Sequence, residues 1–199
     1  MTHESTSVEG GAGASRRQAL RTAVAGVAAV VGGGLLTVGA AAPASAAQQL
    51  WRWCRRCSGL WFSGNSTRGR CPAGDGGHDS TGSGNYILKE DQDGGRGQSG
   101  WRWCADCQGL WFSGRVGYGT CPAGGGHWSI GPYPVTSALY RLEDIGNRDG
   151  PGGQEQWRFC AKCFGLFFDG NSPGVSGVCP RDHAHHSITG SGNYLLRQV

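Results

Sequence analysis

The polar and apolar positions of this chain change rhythm near residue 47. From Ala23 to Ala42 the sequence is apolar and uncharged. Beyond it, apolar residues come only in short runs. In Trp51-Arg52-Trp53 the two aromatics share one face and Arg52 takes the other, which is the period-two pattern of a strand. Leu60 to Ser63 reads as a second short strand, and Tyr86-Ile87-Leu88 as a third, with Tyr86 and Leu88 on one face. The same three runs return at Trp101-Arg102-Trp103, Leu110-Trp111-Phe112 and Tyr140-Arg141-Leu142, and again at Trp157-Arg158-Phe159, Leu166-Phe167-Phe168 and Tyr194-Leu195-Leu196. No segment after residue 47 carries a helical period with caps. The pattern predicts an all-β chain of short antiparallel strands rich in loops.

These runs belong to a threefold repeat, with copies at 51–89, 101–142 and 157–198. Trp51 to Gly64 and Trp101 to Gly114 agree at 11 of 14 positions, and the copies start 50 and then 56 residues apart. A fixed period of this size marks an array of small units. The connections 90–100 and 143–156 are polar and Gly-rich, and read as flexible surface linkers. The second copy departs from the others after His127: Trp128-Ser129-Ile130-Gly131-Pro132-Tyr133-Pro134 replaces the common tail and adds five residues before Tyr140. That divergence fits a contact of its own.

Composition sharpens the picture. Glycine supplies 38 of 199 residues, so much of the chain is turn and loop, and so small a core needs staples. Nine cysteines fall three to a copy: Cys54, Cys57 and Cys71; Cys104, Cys107 and Cys121; Cys160, Cys163 and Cys179. Each set is C-x2-C, a gap of 13, 13 or 15 residues, and Cys-Pro, followed by histidine. A C-x2-C turn offers two thiolates to one ion, and a second loop with Cys and His completes a tetrahedron, a closed structural zinc set. The matching tails His78-Asp79-Ser80-Thr81-Gly82-Ser83-Gly84-Asn85-Tyr86 and His186-Ser187-Ile188-Thr189-Gly190-Ser191-Gly192-Asn193-Tyr194 identify His78 and His186 as fourth ligands, with His127 in the second copy. His183 and His185 then read as solvated loop residues. Three such sets predict three zinc ions per chain.

Two other readings of the cysteines stand beside this one. Disulfides suit an exported protein, but three cysteines per copy leave one thiol over and the recurrent histidine unexplained. Redox chemistry at C-x2-C needs a βαβ setting that the strand pattern does not offer.

The N-terminus reads as a targeting segment. Arg16-Arg17 precedes the apolar stretch, and Ala44-Ser45-Ala46 ends it as a cleavage site, so residues 1–46 form a signal and the mature chain starts at Ala47. The alternative is an uncleaved membrane anchor, disfavoured by Gly26, Gly32, Gly33, Gly34 and Gly39 within the stretch. The arginine pair resembles a twin-arginine signal, which implies export of an already folded chain that loads metal before leaving the reducing cytoplasm. Residues 47–199 carry 15 Lys and Arg against 12 Asp and Glu, scattered along the chain, which argues against a nucleic-acid footprint.

The W-x-[WF]-C-x2-C-x-G-L-[WF]-F…C-P…H…Y-x-L repeat resembles one found in tandem in exported actinobacterial proteins, over essentially all of 51–198. The resemblance implies secretion and a zinc-ribbon-like repeat, and carries no catalytic residues. The sequence holds no paired carboxylates within the repeats and no metal set with an open position. The expectation is therefore a secreted, non-enzymatic binding protein without stable membrane insertion, most simply an adaptor for a secreted protein partner. The alternative is a cell-wall glycan binder. In Leu60-Trp61-Phe62 successive side chains point to opposite faces, so Trp61, Trp111 and Phe167 are the candidate exposed ligand-binding rings, unless they pack between copies. Three similar aromatic sites would favour glycan; one surface built on the divergent second copy would favour protein.

Overall fold

The computed structural model describes residues 47–130, 137–171, 176–184 and 186–199. The signal-like segment 1–46 and His185 lie outside the described residues. Each copy folds as three strands: β1 (Gln48–Trp53), β2 (Leu60–Phe62) and β3 (Tyr86–Glu90); β4 (Gln98–Trp103), β5 (Leu110–Phe112) and β6 (Leu139–Asp144); β7 (Gln154–Phe159), β8 (Leu166–Phe168) and β9 (Tyr194–Gln198). The all-β expectation holds, and every pairing is antiparallel. Among the described residues no helix is long and apolar enough to cross a membrane.

Within a copy the first strand sits between the other two. Between copies, β3 pairs with β6, β6 with β9, and β9 back to β3. At the opposite end single bridges link Trp61 to Gly109, Trp111 to Gly165 and Phe167 to Gly59. The result is one nearly closed barrel of threefold design, which leaves few strand edges unpaired.

A bulge in each first strand builds the interior. Register slips between Gln48 and Trp51, Gln98 and Trp101, and Gln154 and Trp157. The slip puts Leu50, Gly100 and Gln156 at positive φ. Leu50 and Gln156, which carry side chains there, are each held by an asparagine: their N–H groups donate to Asn85 Oδ1 (3.0 Å) and Asn193 Oδ1 (2.8 Å). The second copy has Leu139 where the others have asparagine, and there glycine takes the left-handed turn without help.

The core is aromatic and shared. Trp51, Trp101 and Trp157 are fully buried, and each meets a tyrosine of another copy edge-on: Trp51–Tyr140 (5.3 Å, 82°), Trp101–Tyr194 (5.2 Å, 83°) and Trp157–Tyr86 (5.1 Å, 82°). The tyrosine hydroxyls donate to Gln48, Gln98 and Gln154, again across copies. Edge-to-face pairs of this kind add about 0.5–1.5 kcal/mol each beyond the area they bury.

The connections differ from the expected flexible linkers. Strand pairing extends past the apolar runs, and ion pairs pin what remains: Arg141 to Asp91 (2.6 Å) and Lys89 to Asp149 (2.6 Å), with Arg96 N–H donating to the same Asp149. Backbone pairing needs no alternation of side chains, so the polar ends of these strands gave no period-two signal.

Candidate metal centres

The four ligands of each copy come from two loops. Cys54 follows β1, and the chain turns so tightly that Ser58 N–H donates to Cys54 O (2.8 Å) while Cys54 N–H donates to Gly59 O (2.9 Å). The turn needs a left-handed residue after the second cysteine: Ser58, Gln108 and Phe164 sit at φ 61°, 63° and 66°. The glycine that follows lies beside that cysteine's sulfur: a Cβ at Gly59 or Gly109 would stand 3.4 Å from Cys57 Sγ or Cys107 Sγ, in van der Waals contact.

The structure brings Cys54, Cys57, Cys71 and His78 together, likewise Cys104, Cys107, Cys121 and His127, and likewise Cys160, Cys163, Cys179 and His186. In each group the ligand atoms all lie within 4.8 Å of one another, and every member is buried except the half-buried His186. Sγ–Sγ distances are 3.9 Å (Cys54–Cys71), 3.8 Å (Cys104–Cys121) and 3.9 Å (Cys160–Cys179). The second cysteine of each copy lies 3.6 Å from histidine Nδ1. A tetrahedral ion with metal–sulfur bonds of ~2.3 Å and metal–nitrogen bonds of ~2.0–2.1 Å requires edges of about 3.8 Å and 3.6 Å. The donor set therefore fits a metal ion, and each group could hold one. None of the nine cysteines is in a disulfide; each copy's three sulfurs and one nitrogen form a compact set rather than a bonded pair with a spare.

Electrostatics favour the same conclusion. Hydrogen bonds from Cys57 and Cys71 hold Cys54 far below its ordinary value, and Cys104 and Cys160 are lowered in the same way by their neighbours. Cys57, Cys107 and Cys163 are raised well above theirs, first by contact with Cys54, Cys104 and Cys160. Cys71 is pushed up to about 11 and Cys121 to about 12 for the same reason. Three crowded sulfurs cannot all ionise without a cation among them. Backbone N–H groups already point at sulfur, from Asp79 to Cys54 (3.4 Å), from Trp128 to Cys104 (3.4 Å) and from Ser187 to Cys160 (3.5 Å).

The histidines connect the copies. With Nδ1 toward the sulfurs, Nε2 carries the proton and donates to a carbonyl of the next copy: His78 to Cys107 O (3.2 Å), His127 to Cys163 O (3.0 Å) and His186 to Cys57 O (3.3 Å). The same carbonyls accept from Arg70, Thr120 and Val178 N–H. The residues just before these three, Gly69, Gly119 and Gly177, are at positive φ, and a Cβ on them would lie 2.0–2.2 Å from those carbonyl oxygens. Only glycine fits there.

Trp61, Trp111 and Phe167, the candidates for exposed ligand-binding rings, are packed rather than exposed. They are buried, at 4%, 2% and 0% exposure. Each does face away from the barrel core, but the loop bearing the third cysteine and the histidine covers that face. The rings stack on the imidazoles: Trp61–His78 (5.3 Å, 19°), Trp111–His127 (5.5 Å, 17°) and Phe167–His186 (4.4 Å, 16°). His183 is exposed, stands outside the third group and donates from Nδ1 to Pro72 O (3.2 Å).

Comparison of the chain with protein-family models, with curated proteins and with solved structures finds no match in any of the three.

Proposed function

We propose that this chain is an exported, non-enzymatic binding scaffold held by three structural zinc ions, acting as an adaptor for a secreted protein partner. One observation carries the structural role of the metal: each set has four protein ligands, and its histidine spends Nε2 on the backbone of the next copy. Four protein ligands close the coordination shell, whereas a catalytic zinc keeps a position for water or substrate. Three sulfurs and one imidazole suit zinc among the common ions.

The partner reading rests on where apolar side chains are exposed. Among the described residues, four exposed large hydrophobics, Val116, Tyr118, Trp128 and Ile130, belong to the second copy, against Ile188 alone in the third and none in the first; Leu50, Ile145 and Val199 lie outside the copies. This excess of exposed apolar side chains on the divergent copy favours a protein. The glycan alternative called on three equivalent aromatic faces, and those rings are stacked on imidazoles instead.

Elemental analysis of protein purified from culture medium should find three zinc ions per chain, in a mature form starting at Ala47. Affinity capture with that protein should recover a secreted protein and spare purified wall polysaccharide. Metal-free protein with no titratable thiols would overturn the zinc reading, and capture by polysaccharide alone would overturn the adaptor reading.

A further inference from the structure

The three boundaries between copies are built alike but closed differently. Between the first and second copies, Gln108 Nε2 donates to Thr67 Oγ1 and bridges the gap. Between the third and first, Asn171 Nδ2 donates to Ser58 Oγ (3.0 Å). Between the second and third, the residues at these positions are Gly117, Arg115 and Phe164. Gly117 has no side chain to reach across, and Phe164 offers no hydrogen bond. A cleft of about 1110 Å3 opens there.

Its chemistry is one-sided. The Arg115 guanidinium lies over Phe159 (5.4 Å) and Phe164 (5.8 Å), so its charge rests on an aromatic platform. Arg181 joins it where the other copies have Ala73 and Ala123. Lys162 lines the cleft too and is tied to Asp182 (2.8 Å). No carboxylate is among the lining residues, and among the described residues neither arginine has an acidic partner. Val116, fully exposed, and Tyr118, 61% exposed, form the outer wall.

We propose that this cleft docks an acidic segment of a protein partner, one that carries a bulky apolar side chain beside its carboxylates. The inference rests on the adaptor reading and names the chemistry of its partner. Arginine held over aromatics presents its fork for a carboxylate. Tyrosine, phenylalanine and arginine together are the composition of protein interfaces. The aliphatic Val116 beside them suits a hydrophobic side chain and offers no hydrogen bond to a sugar.

The test uses the zinc-loaded mature protein as bait for a phage-displayed random dodecapeptide library, with an oligogalacturonate series as the glycan probe. Selected peptides should pair Asp or Glu with an aromatic or branched aliphatic residue and weaken as salt is raised. Arg115→Ala should weaken the best peptide by about tenfold or more. Val116→Asp, which alters a side chain that packs on nothing, should do the same while the protein keeps its full metal content. Arg148→Ala, away from the cleft, should leave binding unchanged. Peptides indifferent to Arg115→Ala and Val116→Asp would overturn the site and leave the adaptor reading standing. No peptide selection, with oligogalacturonate bound instead, would overturn both.

Discussion

The two ends of the barrel meet the same threefold problem in different ways. At the metal end each copy supplies the same four ligands, completes its own site and borrows one carbonyl from its neighbour. At the other end β3, β6 and β9 meet one another, and the third residue after the tyrosine is Lys89, then Glu143, then Arg197. Lys89 Nζ lies 2.6 Å and Arg197 Nη2 2.9 Å from the buried Glu143 carboxylate. The same charge in all three copies would repel at this range. Repetition therefore survives in the ligand sets and in the aromatic contacts between copies, and gives way where three charged side chains meet one another.

The largest expected effect comes from breaking the repeated end. Cys54→Ser deletes one thiolate of a set whose metal binding contributes about 10–16 kcal/mol in comparable structural sites. Independent copies on flexible linkers would confine the damage to residues 51–89. The closed barrel predicts that it spreads: hydrogen exchange should accelerate in β6 and β9 as well as in the first copy. Protection kept in β6 and β9 would mean the copies fold separately.

Next in size is Trp61→Ala, which removes the ring stacked on His78 and buried at the metal loop. It should cost about 3–5 kcal/mol and lower metal affinity at one site about 10–100-fold, as loss of a ligand's supporting contacts does elsewhere. Competition with a chromogenic chelator measures the latter. Unchanged affinity would reduce Trp61 to core filling.

At the asymmetric end the effect is smaller. Glu143→Ala should cost about 1–2 kcal/mol, because Lys89 keeps Asp149 as a partner and Arg197 can reach water. Burial alone would lift the Glu143 carboxyl, but Lys89 and Arg197 outweigh it and hold it below the usual carboxylate range. Its contribution is therefore present above the unfolded value near ~4.3 and fades as pH falls through the lower folded value. Urea denaturation should show the parent losing more stability than Glu143→Gln as pH falls below about 4.3. Parallel pH profiles would mean the ion pairs are ornamental.

The smallest effect concerns the bulge. Asn85→Leu copies the second copy's Leu139 into the first and should cost about 1 kcal/mol by freeing the strained Leu50. Adding Leu50→Gly, as at Gly100, should recover most of that. Additive losses would mean that the two positions are not coupled.

Much of the metal end was legible because its chemistry is local. Two cysteines three apart, a Cys-Pro and a histidine recur thrice within short stretches, and ligand identity follows from residue type. The strands showed themselves wherever one face was apolar, as at Trp51 and Trp53. Period two placed Trp61 opposite Leu60 correctly, but it cannot tell water from a covering loop, and so it left open whether the ring was exposed or packed. Closure of the barrel was hidden for a different reason. It depends on pairs far apart in sequence, such as Tyr194 with Gln98, and on backbone pairing along polar strand ends. A trace was present outside the main motif: Gln48, Gln98 and Gln154 each precede a tryptophan by three, and Gly69, Gly119 and Gly177 each precede the Cys-Pro cysteine by two.

The central claim is that three structural metals and one closed barrel stand or fall together. Native mass spectrometry during titration of the zinc-loaded protein with a chelator, with circular dichroism on the same samples, tests it most directly. The account predicts chains carrying three metals or none, with one- and two-metal species scarce, and strand signal lost in step with metal. A metal-free chain that keeps the parent's dichroism, or a ladder of one- and two-metal chains each losing a third of the fold, would contradict it.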